Sequence, residues 1–179
     1  MLDGENNLTN RAISGESSAF GLLYDHYQPK IYRFIYLKVG HREEAEDLTH
    51  QVFLSAWNNI RGYESRGFPF SSWLYRIARN QVIDHYRTKK PTSSLDDVDV
   101  ESHITEDKSG TLAETKIEME RVRMALAKLK PEYQEIIIMR FVEDLSIKET
   151  AQTLGKSEGA IKLLQHRATK KLKEGFQIS

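Results

Sequence analysis

Along most of this chain apolar residues recur with the period of a helix buried on one side. Phe20, Leu23, Tyr24 and Tyr27 fall at i, i+3, i+4 and i+7, the stripe of an amphipathic helix. Pro29 lacks the amide that a helix interior needs, so a second helix is expected to open there. In that helix Ile31, Phe34, Ile35 and Lys38 share a face, and Gly40 offers a stop. A third helix is expected from about Arg42. Glu43, Glu44, Glu46 and Asp47 occupy its opening turns, where carboxylates complement the helix dipole, and Ala45, Leu48, Val52, Phe53, Ala56 and Trp57 are its apolar positions. The stretch Arg61 to Pro69 holds Gly62, Gly67 and Pro69 and reads as a loop. A fourth helix is expected from about Ser71 to Arg87.

Residues 88–112 lose that periodicity. A second helical block follows, with Met119, Val122, Leu126 and Leu129 on one stripe. Pro131 opens another helix carrying Ile136, Ile137, Ile138 and Met139, and two short helices complete the chain. No β-type alternation and no internal repeat occurs. The pattern predicts an all-α fold of two small helical domains, residues 1–90 and 114–179, joined by a flexible acidic linker over 91–113.

Charge sharpens this division. The 26 Lys and Arg residues balance 26 Asp and Glu residues, but they are segregated. Residues 60–90 carry 7 basic against 2 acidic side chains, residues 91–107 carry 0 against 6, and residues 146–179 carry 7 against 3. Two basic blocks therefore flank an acidic one. Each basic side chain near a phosphate releases counterions, so a polyanion is a plausible partner, with solvated helix faces as the alternative. The absence of Cys excludes disulfides, thiolate metal sites and Cys catalysis. No run of 18 apolar residues exists, and Met1-Leu2-Asp3-Gly4-Glu5 has no secretion-signal character, so a soluble cytoplasmic protein is expected.

The C-terminal segment carries the sharper pattern. Ser146-Ile147-Lys148-Glu149 is a capping box, and Ser157 can cap the next helix. Between them Gly155 can take the positive φ that ends a helix. Ala151 is small where two helices would cross, and Ile161 plugs their shared core with Leu154, Leu164 and Leu172. This is helix-turn-helix spacing, in which the second helix enters the major groove. At 100° per residue Ile161, Leu164, Ala168 and Leu172 turn inward. Lys162, His166, Thr169, Lys170 and Lys173 gather on the other side. Phosphates suit the open N–H groups near Ser157 and Gly159. A protein-binding αα-hairpin is the competing reading.

The fourth helix has an unusual outward stripe. With Arg76 as zero, Asn80, Ile83 and Arg87 fall within about 40°, and Trp73 at about 60°. Leu74, Ile77, Ala78 and Val82 point the other way, and Arg61, Tyr63, Arg66 and Phe68 stand in the preceding loop. Rings for base stacking beside cations for the backbone suit single-stranded nucleic acid, and Asn80 offers amide-type hydrogen bonds to an extruded base. For Trp73 and Phe70 simple core packing is the alternative.

These residues carry a resemblance. Glu46-Asp47-Leu48-Thr49-His50-Gln51-Val52-Phe53-Leu54-Ser55-Ala56-Trp57 resembles the region-2 segment of extracytoplasmic-function (ECF) sigma factors of the sigma-70 family, which binds the polymerase β′ clamp helices. Phe70-Ser71-Ser72-Trp73-Leu74-Tyr75-Arg76-Ile77-Ala78-Arg79-Asn80, with Asp84 and Arg87, is similar to the segment that melts and reads the minus-ten promoter element. Leu129-Lys130-Pro131, Met139-Arg140-Phe141, Leu145-Ser146 and the helix-turn-helix resemble region 4, the minus-thirty-five reader. The resemblance implies a sigma factor that directs promoter-specific initiation by core RNA polymerase. Asp47, Gln51, Phe53 and Trp57 would bind the polymerase, and region 4 its β flap. Arg61, Tyr63, Arg66, Trp73, Arg76, Asn80 and Arg87 would face the opened minus-ten strand. Arg140, Ser157, Gly159, Lys162, His166, Arg167 and Lys170 would face the upstream duplex. The acidic linker would mimic nucleic acid inside the polymerase, and an anti-sigma factor is implied as a further partner. His50-Gln51 replaces the family's usual Gln-Glu, and Leu163-Leu164 its frequent Ser-Arg.

A two-domain regulator that binds duplex DNA without joining the polymerase is the alternative. A nucleic-acid-processing enzyme is the third reading. Against it, the chain shows no nucleophile with a base and no Gly-rich phosphate loop, while Glu43, Glu44, Glu46 and Asp47 scatter around their helix. No metal, cofactor or small-molecule substrate is expected.

Overall fold

In the computed structural model, which describes residues 2–89 and 110–177, helices α1 (Glu5–Ile13), α2 (Ser17–Val39), α3 (Arg42–Asn59) and α4 (Phe70–Lys89) form a first module. A 3-10 turn over Ile60–Gly62 joins α3 to the loop before α4. Helices α5 (Gly110–Ala127), α6 (Pro131–Ile137), α7 (Ile147–Leu154) and α8 (Glu158–Gln177) form the second, and α6 continues into a π-helical segment over Ile138–Val142. The described residues contain no strand. Residues 90–109, the greater part of the expected acidic linker, lie outside them. Helix α5 begins at Gly110, within the span expected for that linker.

The first module departs from the sequence pattern at two places. Helix α1 has no counterpart in the apolar pattern: its buried residues are Glu5, Thr9 and Ala12, two of them polar. Pro29 does not separate two helices but sits inside α2. The apolar stripe keeps its phase across it, with Leu23, Tyr27, Ile31, Phe34 and Ile35 all buried. Pro29 and Asp25, the residue whose carbonyl loses its helical donor, both lie on the exposed side of α2. Continuous burial outweighs a proline cost of about 3 kcal/mol.

The core of the first module gathers those α2 residues with Ala45, Leu48, Val52, Phe53 and Ala56 of α3, and Phe70, Leu74, Ala78 and Val82 of α4. In the second, Leu126, Ile136, Ile137, Ile138, Met139, Ile161 and Ala168 are buried. Val122, expected on the buried stripe of α5, is 40 % exposed. Helix α7 begins with the expected capping box: Glu149 N–H donates to Ser146 Oγ (3.1 Å) and Ser146 N–H to Glu149 Oε2 (2.6 Å). Gly155 ends it at φ 63°.

The modules touch along α2 and α4. Arg33 donates from Nε and Nη2 to the two Glu143 oxygens at 2.6 and 2.8 Å, and Tyr75 donates its hydroxyl to Oε2 at 2.9 Å. Arg79 Nε donates to Glu135 Oε1 (3.0 Å), with Lys38 Nζ at 3.8 Å. Tyr36 donates to Glu120 Oε2 (3.1 Å). At Gly40, the left-handed end of α2 (φ 75°), an added Cβ would stand 2.8 Å from Arg123 Nη1.

Candidate nucleic-acid interface

The outward stripe of α4 opens beside a cleft of about 250 Å³ whose walls include Tyr63, Arg66, Phe68, Trp73 and Arg76. Its floor is aromatic. The Tyr63 ring lies 5.4 Å from Phe70 and 5.0 Å from Trp73, and Phe70 lies 5.5 Å from Trp73. Phe70 is buried, while Tyr63 and Trp73 are half-buried, so core packing and surface display run through one stack. Burial, with Glu5 nearby, pushes the Tyr63 hydroxyl up to about 12, so it remains a neutral donor near pH 7. Ser72, also on the cleft wall, has a buried Oγ without a hydrogen-bond partner.

Arg66 and Arg76 line this cleft and are exposed, as are Arg61, Asn80 and Arg87 outside its lining. Arg66 takes a positive φ of 45° and pairs with Glu64 at 3.3 Å, while Arg87 pairs with Asp84 at 3.6 Å. Both pairs are solvent-exposed, so they hold these cations weakly. Of the expected minus-ten residues the structure brings Tyr63, Arg66, Trp73 and Arg76 together at the cleft, while Asn80 and Arg87 stand further along α4 and Arg61 stands in the 3-10 turn. Arg76 has an unexpected partner: its Nη2 donates to the Gln152 carbonyl of α7 at 2.6 Å.

On α3, Asp47 and Gln51 are exposed and Trp57 is half-buried against Phe20, ring centroids 5.0 Å apart. Phe53 corrects the sequence expectation. It is only 4 % exposed and meets Tyr24 edge-on at 4.8 Å, so it supports this surface from within. Leu54, 53 % exposed, falls on the face of Asp47 and Gln51, seven and three residues on. The apolar side chain between polar ones was the signal that sequence reasoning passed over.

In the second module Ser157 Oγ accepts the Ala160 amide at 3.1 Å and caps α8. Gly159, Lys162, His166, Arg167 and Lys170 are exposed along α8. Leu163, the first residue of the Leu163-Leu164 pair that departs from the family pattern, is 50 % exposed among them. Arg140 is engaged within the module. It is half-buried, donates Nε to Gln165 Oε1 at 2.9 Å and also bonds the Leu145 carbonyl, so it braces the π-helical segment against α8. Among the described residues no group of three or more His, Cys, Asp or Glu is placed to hold a metal ion. No helix among them is long and apolar enough to cross a membrane.

Comparison with known proteins divides the chain at the same place. Residues 23–92 match the model of sigma-70 region 2, and residues 119–172 that of sigma-70 region 4. The ECF RNA polymerase sigma factor SigW of Bacillus subtilis is 32 % identical over 171 residues, covering 89 % of this chain and 90 % of SigW. The ECF sigma factor BldN of Streptomyces coelicolor is 39 % identical over 170 residues; the match covers 92 % of this chain but 63 % of BldN's length. Among solved structures, CnrH in complex with the cytosolic domain of CnrY aligns with a TM-score of 0.78, covering 98 % of this chain and 99 % of that one at 23 % identity. RpoE of Bartonella quintana, in complex with the anti-sigma factor NepR, aligns at 0.69 over 89 % of this chain and 98 % of that one, at 20 % identity. At those identities the likeness is one of fold.

Proposed function

Since this chain belongs to the ECF branch of the sigma-70 family, we propose that it directs promoter-specific initiation by core RNA polymerase through two DNA-reading surfaces. The first is the cleft of Tyr63, Arg66, Trp73 and Arg76 together with Asn80 and Arg87 further along α4 and Arg61 in the 3-10 turn, which takes the opened minus-ten strand. Unpaired bases stack on half-exposed rings while the arginines follow the backbone. The second is the exposed face of α8, which enters the major groove of the minus-thirty-five duplex with Lys162, His166, Arg167 and Lys170. Ser157 and Gly159 stand at its N-terminal, phosphate-facing end. Leu163 in that face suits the methyl group of a thymine.

The observation that carries this reading is the pairing on one chain of an aromatic, arginine-rimmed cleft with a basic helix-turn-helix. A regulator of duplex DNA alone would have no use for the cleft. Core polymerase would meet Asp47, Gln51 and Leu54 of α3, stiffened by Phe53 and Trp57, and the β flap would meet the second module. An anti-sigma factor joins the partners because NepR binds RpoE of the same fold. This work takes place in the cytoplasm, and the polymerase supplies the chemistry.

The deciding experiment is run-off transcription from a genomic promoter library with purified core polymerase. Specific transcripts are expected only when chain and core are combined. Specific promoter binding by the isolated chain, with no transcripts on adding core, would instead identify a separate regulator.

A further inference from the structure

We propose that Glu5 is a positioning residue for minus-ten readout, fixing the aromatic floor of the cleft through the first amide of α4. This inference rests on the cleft being the single-strand surface. Glu5 belongs to α1, which precedes the residues matched to sigma-70 region 2, and it is only 3 % exposed. Its Oε1 accepts the Phe70 amide at 2.9 Å, and its other oxygen accepts the Tyr27 hydroxyl. Both partners belong to one network of rings. Phe70 stands at its centre, against Tyr63 and Trp73, and the buried Tyr27 ring lies 6.0 Å from Phe70.

Pro69, the residue before α4, carries no side-chain acceptor, so the Phe70 amide is met from α1 instead. Trp73 lies in the first turn of α4, and its ring shifts if that turn frays. Tyr63 approaches it from the loop. Helix α1 also packs against the 3-10 turn from which this loop starts. Just beyond α1, Gly15 lies beside Arg61, whose Nη2 stands 3.7 Å from where a Cβ would be. The first helix therefore braces both ends of the segment 63–69. Burying a carboxyl group disfavours folding unless its oxygens are bonded. Here both are, and the two bonds fix Phe70 relative to Tyr27. Stacking unpaired bases between rings depends on such fixed separations.

The test is run-off transcription by the full chain with core polymerase. Its templates are a promoter recovered from the genomic library and copies that each carry one substituted base in the minus-ten element. The readout is the ratio of transcript from the recovered promoter to transcript from each copy, at a temperature where circular dichroism shows the variants folded. Loss of folded protein lowers all transcripts together and leaves this ratio unchanged. The natural chain should discriminate by about tenfold per substituted base, and Glu5→Ala by only about twofold. Glu5→Gln, which keeps an oxygen for the Phe70 amide, should restore the full ratio. A full ratio in folded Glu5→Ala would overturn the proposal, and so would an equal loss in Glu5→Gln. If Glu5→Ala does not fold, Tyr27→Phe decides, because it removes only the hydroxyl bonded to the carboxylate. A severalfold narrower ratio then supports the proposal, and an unchanged one overturns it. Absence of minus-ten discrimination in the natural chain would instead remove the cleft reading itself, and the positioning role with it.

Discussion

Glu5 Oε1 accepts the amide of Phe70 at 2.9 Å, so a carboxylate from the first helix caps the fourth, 65 residues away. Its other oxygen accepts the Tyr27 hydroxyl. The buried carboxylate thus closes the N-terminus of the helix that carries Trp73, Arg76 and Asn80. It also ties that helix to α2.

Glu5→Ala is expected to destabilise the first module by about 2 kcal/mol, because it strands a buried amide and a buried hydroxyl. For a module of this size the melting temperature should fall by on the order of 10 °C. Calorimetry of the full chain checks this, and an unchanged melt would remove Glu5 from the cap.

Asn80→Ala should reduce open-complex formation by about tenfold, the cost of one good base contact, while leaving core binding unchanged. Asp47→Lys should show the opposite pattern, with core affinity falling and oligonucleotide binding untouched. Fluorescence from a base analogue in the minus-ten region, read beside core-binding anisotropy, separates the two.

Leu163 should confer a thymine preference within the minus-thirty-five element. Replacing that thymine by uracil, which lacks only the methyl group, should weaken promoter use severalfold for the natural chain and have no effect on Leu163→Ala. Equal uracil sensitivity in both would assign the preference elsewhere.

Acid should loosen α5 from α2. The Arg123 guanidinium beside Glu120 holds its carboxyl below the usual carboxylate range against the opposing effect of burial, helped by the Tyr36 hydroxyl. A depressed folded value means the contribution is complete above the unfolded carboxylate range, near pH 4.5, and is lost as pH falls through the lower folded value. The difference in melting temperature between the natural chain and Glu120→Gln should hold from pH 7 to about pH 5 and then shrink. A difference constant down to pH 3 would show that the carboxylate charge is not involved.

What the sequence displayed was local. The capping box at Ser146, the glycine turn at 155 and the plug at Ile161 are each defined within a few residues, and all three stand as read. The arginine and aromatic stripe of α4 followed from helical phase alone. Helix α1 was invisible because it buries Glu5 and Thr9 where an apolar stripe would be sought. Pro29 misled because a local rule gave way to packing that continues on both sides of it. Phe53 faces inward, and the bonds of Arg140 to Gln165 and the Leu145 carbonyl had no local sign in the sequence. The pairs joining Arg33 to Glu143 and Arg79 to Glu135 are separated by 110 and 56 residues, beyond any periodic signal.

The Tyr63, Phe70 and Trp73 rings bind recognition to folding in the first module. A substitution chosen to alter which base the outer rings accept also disturbs a ring at the centre of the helical bundle. The leucine and basic residues of α8 carry no such debt, since they project into solvent. Promoter preference should therefore drift easily at the upstream element and stay nearly fixed at the downstream one.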